Sequence, residues 1–170
     1  MDEGVETPED YPFEDVVSRW DVVIEEMAAM ATEYEADGWE TVTLHPGDVT
    51  ISTGQEPNAK QGFDVVVPGD EYDRLRGAVD DRSFESYEVF RTADQGLVFL
   101  LTVLTDTDGD LAVFVPAYYP DTEVEELQVA VENSGGTLTT HVRPLKEDER
   151  VLFYHEDPSL FFPEGYEDAV

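Results

Sequence analysis

Residues 96 to 120 read GLVFLLTVLT, then DTDGD, then LAVFVPAYYP. Two apolar runs rich in β-branched and aromatic residues, separated by a turn from Asp106 to Asp110 with an Asp108-Gly109 step, predict a pair of long antiparallel strands joined by a tight hairpin. This pair is expected at the centre of a sheet, and the rest of the chain has to be arranged around it.

Upstream, Val16, Val17, Trp20, Val23, Ile24, Met27, Ala31 and Tyr34 recur at helical spacing. They predict an amphipathic helix of about six turns from Phe13 to near Asp37, stopped by Gly38. Trp39 to His45 alternates as a strand, and His45-Pro46-Gly47-Asp48 reads as a turn returning the chain into a hairpin partner, Val49 to Thr53. Phe63 to Val67 is a short strand closed by Pro68-Gly69. Asp70 to Val79 forms a second helix with Tyr72, Leu75 and Val79 on one face, and Phe84 to Thr92 alternates as a strand. Asp121 to Glu132 forms the third helix, ended by Asn133-Ser134-Gly135-Gly136. Thr137 to Arg143 and Arg150 to His155 are the last two strands.

Consecutive strands on short connections imply an α+β fold, a mainly antiparallel β-sheet with about three α-helices packed on one face. The regular alternation of strand and helix that a doubly wound parallel sheet requires is absent. Residues 1–12 read as a disordered acidic arm and residues 13–170 as a single α+β domain. Its C-terminal segment, 156–170, is expected to lie extended on the sheet through Leu160, Phe161, Phe162 and Tyr166.

Charge bounds the partners. The chain carries 41 Asp plus Glu against 9 Lys plus Arg, a formal net charge of -32 over 170 residues, yet 41% of its residues are hydrophobic, enough to build a core. Nucleic acid and anionic membranes require a field of the opposite sign, so neither is expected as a partner. The carboxylates are spread along the whole chain and would repel one another in dilute salt. At molar salt the Debye length shrinks to about 3 Å and the compact state is relieved of that repulsion, so the acidic composition reads as a halophilic adaptation. The chain has no cysteine, which removes disulfides and thiol chemistry. No basic region followed by an apolar one opens the sequence, and the longest apolar stretch, Gly96 to Val103, is too short for a bilayer. A cytoplasmic location is expected.

Candidate sites are few. Asp106-Thr107-Asp108-Gly109-Asp110 alternates acids around a glycine, but the glycine falls at position four and position twelve is Ala117, which is not the calcium-loop pattern; a solvated turn is the expectation. His45, His141 and His155 are the only imidazoles and all lie near expected strand ends. They are the candidate metal ligands, with Asp48 or Glu156 nearby, although nothing in their spacing enforces convergence. Asp64 and Glu88 are flanked by apolar residues, the setting in which burial raises a carboxylate pKa. Tyr118, Tyr119 and Tyr154 are the candidate pocket residues, set among prolines and other aromatics. No phosphate-binding glycine loop, no nucleophile elbow and no zinc-protease motif occurs, and no cofactor is expected.

The segments GWETVTLHPGDV at 38–49, VFVPAYYPD at 113–121, THVRPLKEDE at 140–149 and FYHEDPSLFF at 153–162 resemble those of an uncharacterised haloarchaeal protein family of unknown function, over most of the chain from about residue 13. The resemblance implies a haloarchaeal cytoplasmic origin and transfers no catalytic residue, cofactor or substrate. Two functional expectations follow. The first is a non-catalytic binding or regulatory module with a protein partner or a second copy of itself, contacted through the first helix or the central hairpin. The second is a small metal-dependent or acid/base enzyme around His45, His141 and His155.

Overall fold

The computed structural model describes residues 10–53, 61–80, 82–84, 86–146 and 149–163. Its first element, α1 (Asp10–Ala36), runs for 27 residues and buries Val23, Met27 and Ala31, one turn apart, with Trp20, Ile24, Met30 and Tyr34 packed beside them. The helix ends on Gly38 at φ +94°. The Gly38 N–H donates to Glu35 O and the Trp39 N–H to Tyr34 O, both at 3.0 Å, while the Trp39 ring meets Tyr34 edge to face at 5.3 Å. These are the two reverse bonds and the apolar clasp of a Schellman cap, whose left-handed residue only glycine adopts without strain. The helix begins three residues before the expected Phe13, so the end of the acidic arm is helical; residues 1–9 lie outside the described residues.

Among the described residues eight strands follow: β1 (Glu40–Thr43), β2 (Asp48–Ser52), β3 (Gly62–Val66), β4 (Ser86–Asp94), β5 (Leu97–Asp106), β6 (Leu111–Pro120), β7 (Leu138–Arg143) and β8 (Val151–His155). Helix α2 (Gly69–Val79) leads from β3 to β4, and a 3-10 turn at Asp121–Glu123 runs into α3 (Val124–Asn133) between β6 and β7. The α+β class, the three helices and the mainly antiparallel pairing hold. The strands, however, divide between two sheets: sheet A in the order β1-β6-β5-β4 and sheet B in the order β2-β3-β7-β8.

The β5–β6 hairpin forms at the centre of sheet A, in register from Leu97 opposite Pro120 to Asp106 opposite Leu111. Gln95 and Gly96, at φ 55° and 81°, join β4 to β5 in a two-residue turn of the kind that matches strand twist. The expected β1–β2 hairpin does not form. Instead β1 lies parallel to β6, β2 pairs with β3, and the Gly47 N–H donates to Val66 O at 2.9 Å, so the Pro46-Gly47 segment carries the chain from one sheet to the other. Strands of four and five residues bury little as an isolated hairpin. Split between the sheets, Val42 and Leu44 reach the core from one side, and Val49 and Ile51 pack on it from the other. A second parallel pair, β3 with β7, completes sheet B.

The main core fills the space between the sheets. Leu100, Val113 and Tyr119 enter it from sheet A, Val65, Leu138 and Val142 from sheet B, and Leu75 and Leu127 from α2 and α3. Helix α1 packs on the opposite face of sheet A, against Phe99, Leu101, Val103, Ala112 and Phe114. The C-terminal segment is regular at one point, a 3-10 turn at Pro158–Phe161. Within it Phe161 and Phe162 are fully buried in the main core; residues 164–170, Tyr166 among them, lie outside the described residues.

Candidate functional site

The three imidazoles occupy three environments. His45 sits just past β1 on the surface, its backbone N–H and its Nδ1 both bonded to the Glu71 carboxylate of α2, at 2.7 and 2.8 Å. His141 and His155 lie in sheet B, on neighbouring strands but opposite faces: His141 stands opposite Leu152 in the ladder, and His155, three residues further along β8, points the other way. Among the described residues no three His, Asp or Glu side chains come together as a cation site. The geometry therefore does not assemble the candidate metal ligands.

His141 is buried on the outer face of sheet B, where it links two hydrogen-bond partners. The Arg150 guanidinium, which can only donate, gives Nη1–H to His141 Nδ1 at 2.9 Å. The other nitrogen must then carry the ring proton and donate to Thr139 Oγ1 at 3.0 Å, and Thr139 in turn donates to Gln61 O at 2.6 Å. Beside this chain Arg143 holds Asp64 through Nε and Nη2, at 2.9 and 3.1 Å. The apolar neighbours of Asp64 in sequence point inward, and its carboxylate sits in an ion pair. Glu88, the other carboxylate with apolar neighbours, is exposed.

His155 faces the core. It lies between the Tyr87 and Phe161 rings, at 4.9 and 4.6 Å, with Nε2 2.8 Å from Thr140 Oγ1 and Nδ1 buried without a partner among the described residues. Burial lowers its pKa to about 4, so at neutral pH it is an uncharged core aromatic.

The candidate pocket tyrosines also separate. Tyr118 packs against Trp20 of α1 at 5.4 Å. Tyr119 is buried in the main core, where its hydroxyl donates to Phe161 O at 2.7 Å. Tyr154 is exposed on the outer face of sheet B, at the rim of a groove of about 410 Å³ along β8. A larger groove, about 650 Å³, follows β4 at the edge of sheet A, lined by Val89, Phe90, Thr92, Ala93, Val98 and Pro163. Sequence reasoning missed it. Alternation in Phe84 to Thr92 marks which residues share a face, but that the strand ends a sheet depends on pairings elsewhere in the chain.

The acidic hairpin turn is closed on itself. Asp106 accepts the backbone N–H groups of Asp108 and Gly109 and the Arg82 guanidinium, at 3.1, 3.4 and 3.3 Å, so its buried carboxylate is already used, while Thr107 to Asp110 face solvent. Three further arginines act in a similar way. Arg91 donates to Leu160 O at 3.0 Å, Arg74 to Thr41 O at 2.9 Å, and Arg19 to Asp94 at 3.3 Å, so these cations tie elements of the fold together.

Among the described residues no helix is long and apolar enough to cross a membrane. No curated protein and no solved structure matches the chain. Residues 11–163 match a family of unknown function, DUF7529; the match spans nearly all the elements described above, and the chain belongs to that family.

Proposed function

We propose that this chain is a non-catalytic binding or regulatory module working in the salt-rich cytoplasm of a halophile, and that the β4 edge of sheet A is its contact surface. The observation that carries the reading is the length of that edge. The other three terminal strands, β1, β2 and β8, have four or five residues, whereas β4 has nine. Short edge strands are one of the ways proteins avoid pairing with other chains. A long edge with no strand beside it among the described residues, next to a groove and with Phe90 45% exposed in its middle, is the arrangement that strand addition uses. By contrast, the imidazoles that an enzyme reading requires are engaged in separate structural bonds. The haloarchaeal origin belongs to the same proposal and is supported by the net charge of -32.

A photo-reactive residue substituted at Phe90 tests the contact surface in cell extract at about 3 M KCl, where charge repulsion is screened. Crosslinks from position 90 are expected, and none from Val129, an exposed residue of α3. No crosslink from position 90 would defeat the reading. The halophilic part predicts a melting temperature that climbs steadily as KCl is raised from about 0.1 M to about 3 M. A salt-independent melting curve by circular dichroism would refute it.

A further inference from the structure

We propose that the occupant of the β4 edge is a second copy of this chain, paired strand to strand with β4 antiparallel about a two-fold axis through Phe90. The inference rests on reading that edge as a contact surface and adds what fills it.

Phe90 is the middle residue of β4 (Ser86–Asp94), so an axis through it pairs the two strands over their full length, about 30 Å at the usual rise per residue. Every outward-facing residue then meets an acceptable neighbour. Phe90 meets Phe90, Glu88 meets Thr92, and Ser86 meets Asp94. No carboxylate stands opposite another, a demanding condition in a chain carrying 41 of them. Moving the axis one residue on, to Arg91, would set Glu88 against Asp94. Moving it one residue back, to Val89, would set Phe90 against Glu88 and shorten the overlap.

The apolar surface points to the same register. Leu101 of β5 stands beside Phe90, and Pro116 of β6 beside Leu101, so an apolar row crosses three strands and stops at the edge. Helix α1 covers the inner part of that face through Leu101 and Phe114 and leaves Phe90 partly exposed, at 45%. In the paired form the row continues into the second copy, the two four-stranded sheets become one of eight strands, and Phe90 is covered from across the seam. The remaining β4 residues do not obstruct this arrangement: Arg91 turns inward to the carbonyl oxygens of Ser159 and Leu160, and Asp94 at the strand end is held by Arg19.

Sedimentation equilibrium of the full chain in about 3 M KCl is expected to find a species of twice the 19.1 kDa chain mass. Phe90→Glu, which replaces the apolar pair at the axis with charge, should weaken the dimer about tenfold or more. Thr92→Asp, which sets an acid opposite Glu88, should weaken it increasingly as KCl is lowered from about 3 M to about 0.5 M and the repulsion is unscreened. Both positions are exposed, so the circular dichroism spectrum should be unchanged, and Val129→Glu should leave the dimer intact. Because the chain has no cysteine, Phe90→Cys should be joined to its twin by a short thiol crosslinker. A monomer at all concentrations overturns the proposal, as does a dimer indifferent to both acidic substitutions. A photo-crosslink from position 90 to a different protein, with the chain itself monomeric, overturns the second copy while sparing the binding reading. No crosslink from that position defeats both.

Discussion

The two sheets share one core but meet solvent differently. In sheet A the β5 and β6 residues of both parities are buried, one set between the sheets and the other beneath α1. Sheet B has most of its apolar residues on the inner face, and its outer face carries Leu152 and Tyr154 beside Asp64, Thr139, His141 and Arg143, which are hydrogen-bonded in pairs. A strand covered on both sides is written as a continuous apolar run, and one covered on a single side as an alternation. Sheet A is therefore held mainly by burial of apolar surface. Sheet B also depends on how closely its backbones approach and on whether its polar groups find their partners.

The contrast can be broken at Gly62. This residue begins β3 at φ +147°, and a Cβ there would stand 1.8 Å from Thr139 O on β7. Gly62→Ala should cost more than about 4 kcal/mol, the range reserved for backbone strain and steric overlap in a packed site. A midpoint unchanged in urea would show that β3 and β7 have room to separate. In sheet A the expected failure is a cavity. Phe114→Ala, beneath α1, should lose about 4 kcal/mol, whereas Leu152→Ala on the half-open outer face of sheet B should lose about 1 kcal/mol. Equal losses would contradict the two-sided and one-sided description.

Two further effects, smaller than those at Gly62 and Phe114, come from the polar groups of sheet B. His155 has its folded pKa lowered to about 4, against about 6.5 for an unfolded chain. The unfolded state therefore takes up the proton first as pH falls. Its contribution, on the order of 3 kcal/mol, should be complete above about pH 6.5 and lost between about pH 6.5 and 4. His155→Phe should flatten that slope in urea titrations across the same range, and a slope that survives the substitution would assign it elsewhere. Asp64→Ala leaves Arg143 without its carboxylate at a site where the two side chains are 13% and 21% exposed. A loss of about 2 kcal/mol is expected by urea unfolding in molar KCl, and a neutral result would mean that the Pro144 and Leu145 carbonyl groups satisfy the guanidinium alone.

Much of the fold was legible because the signals are local. Tyr72 and Leu75 marked the buried face of α2, the residues spaced along α1 became its packed stripe, and the two apolar runs paired as their turn required. The segment at His45 to Asp48 shows where local reading stops. A Pro-Gly step between two short alternating runs has the composition of a hairpin turn, yet the chain there passes between sheets, because the first run pairs with the distant β6 and the second with the following strand, β3. The site was still less legible. Arg150 completes the hydrogen bonding of His141, and that contact depends on the antiparallel placement of β7 and β8.

The sequence by itself determined the charge, the periodicities and therefore the class of the fold, since each is a property of neighbouring residues. It also determined that His141 and His155, fourteen residues apart and in different strands, would each need a partner if buried. The tertiary structure alone decided which strands became neighbours, that two parallel pairs would form, that the three histidines would not meet, and that β4 would be left at an edge. A period-two pattern states which residues share a face but carries no term for the identity of the adjacent strand. That choice is made by the shared core and by the closure of long connections.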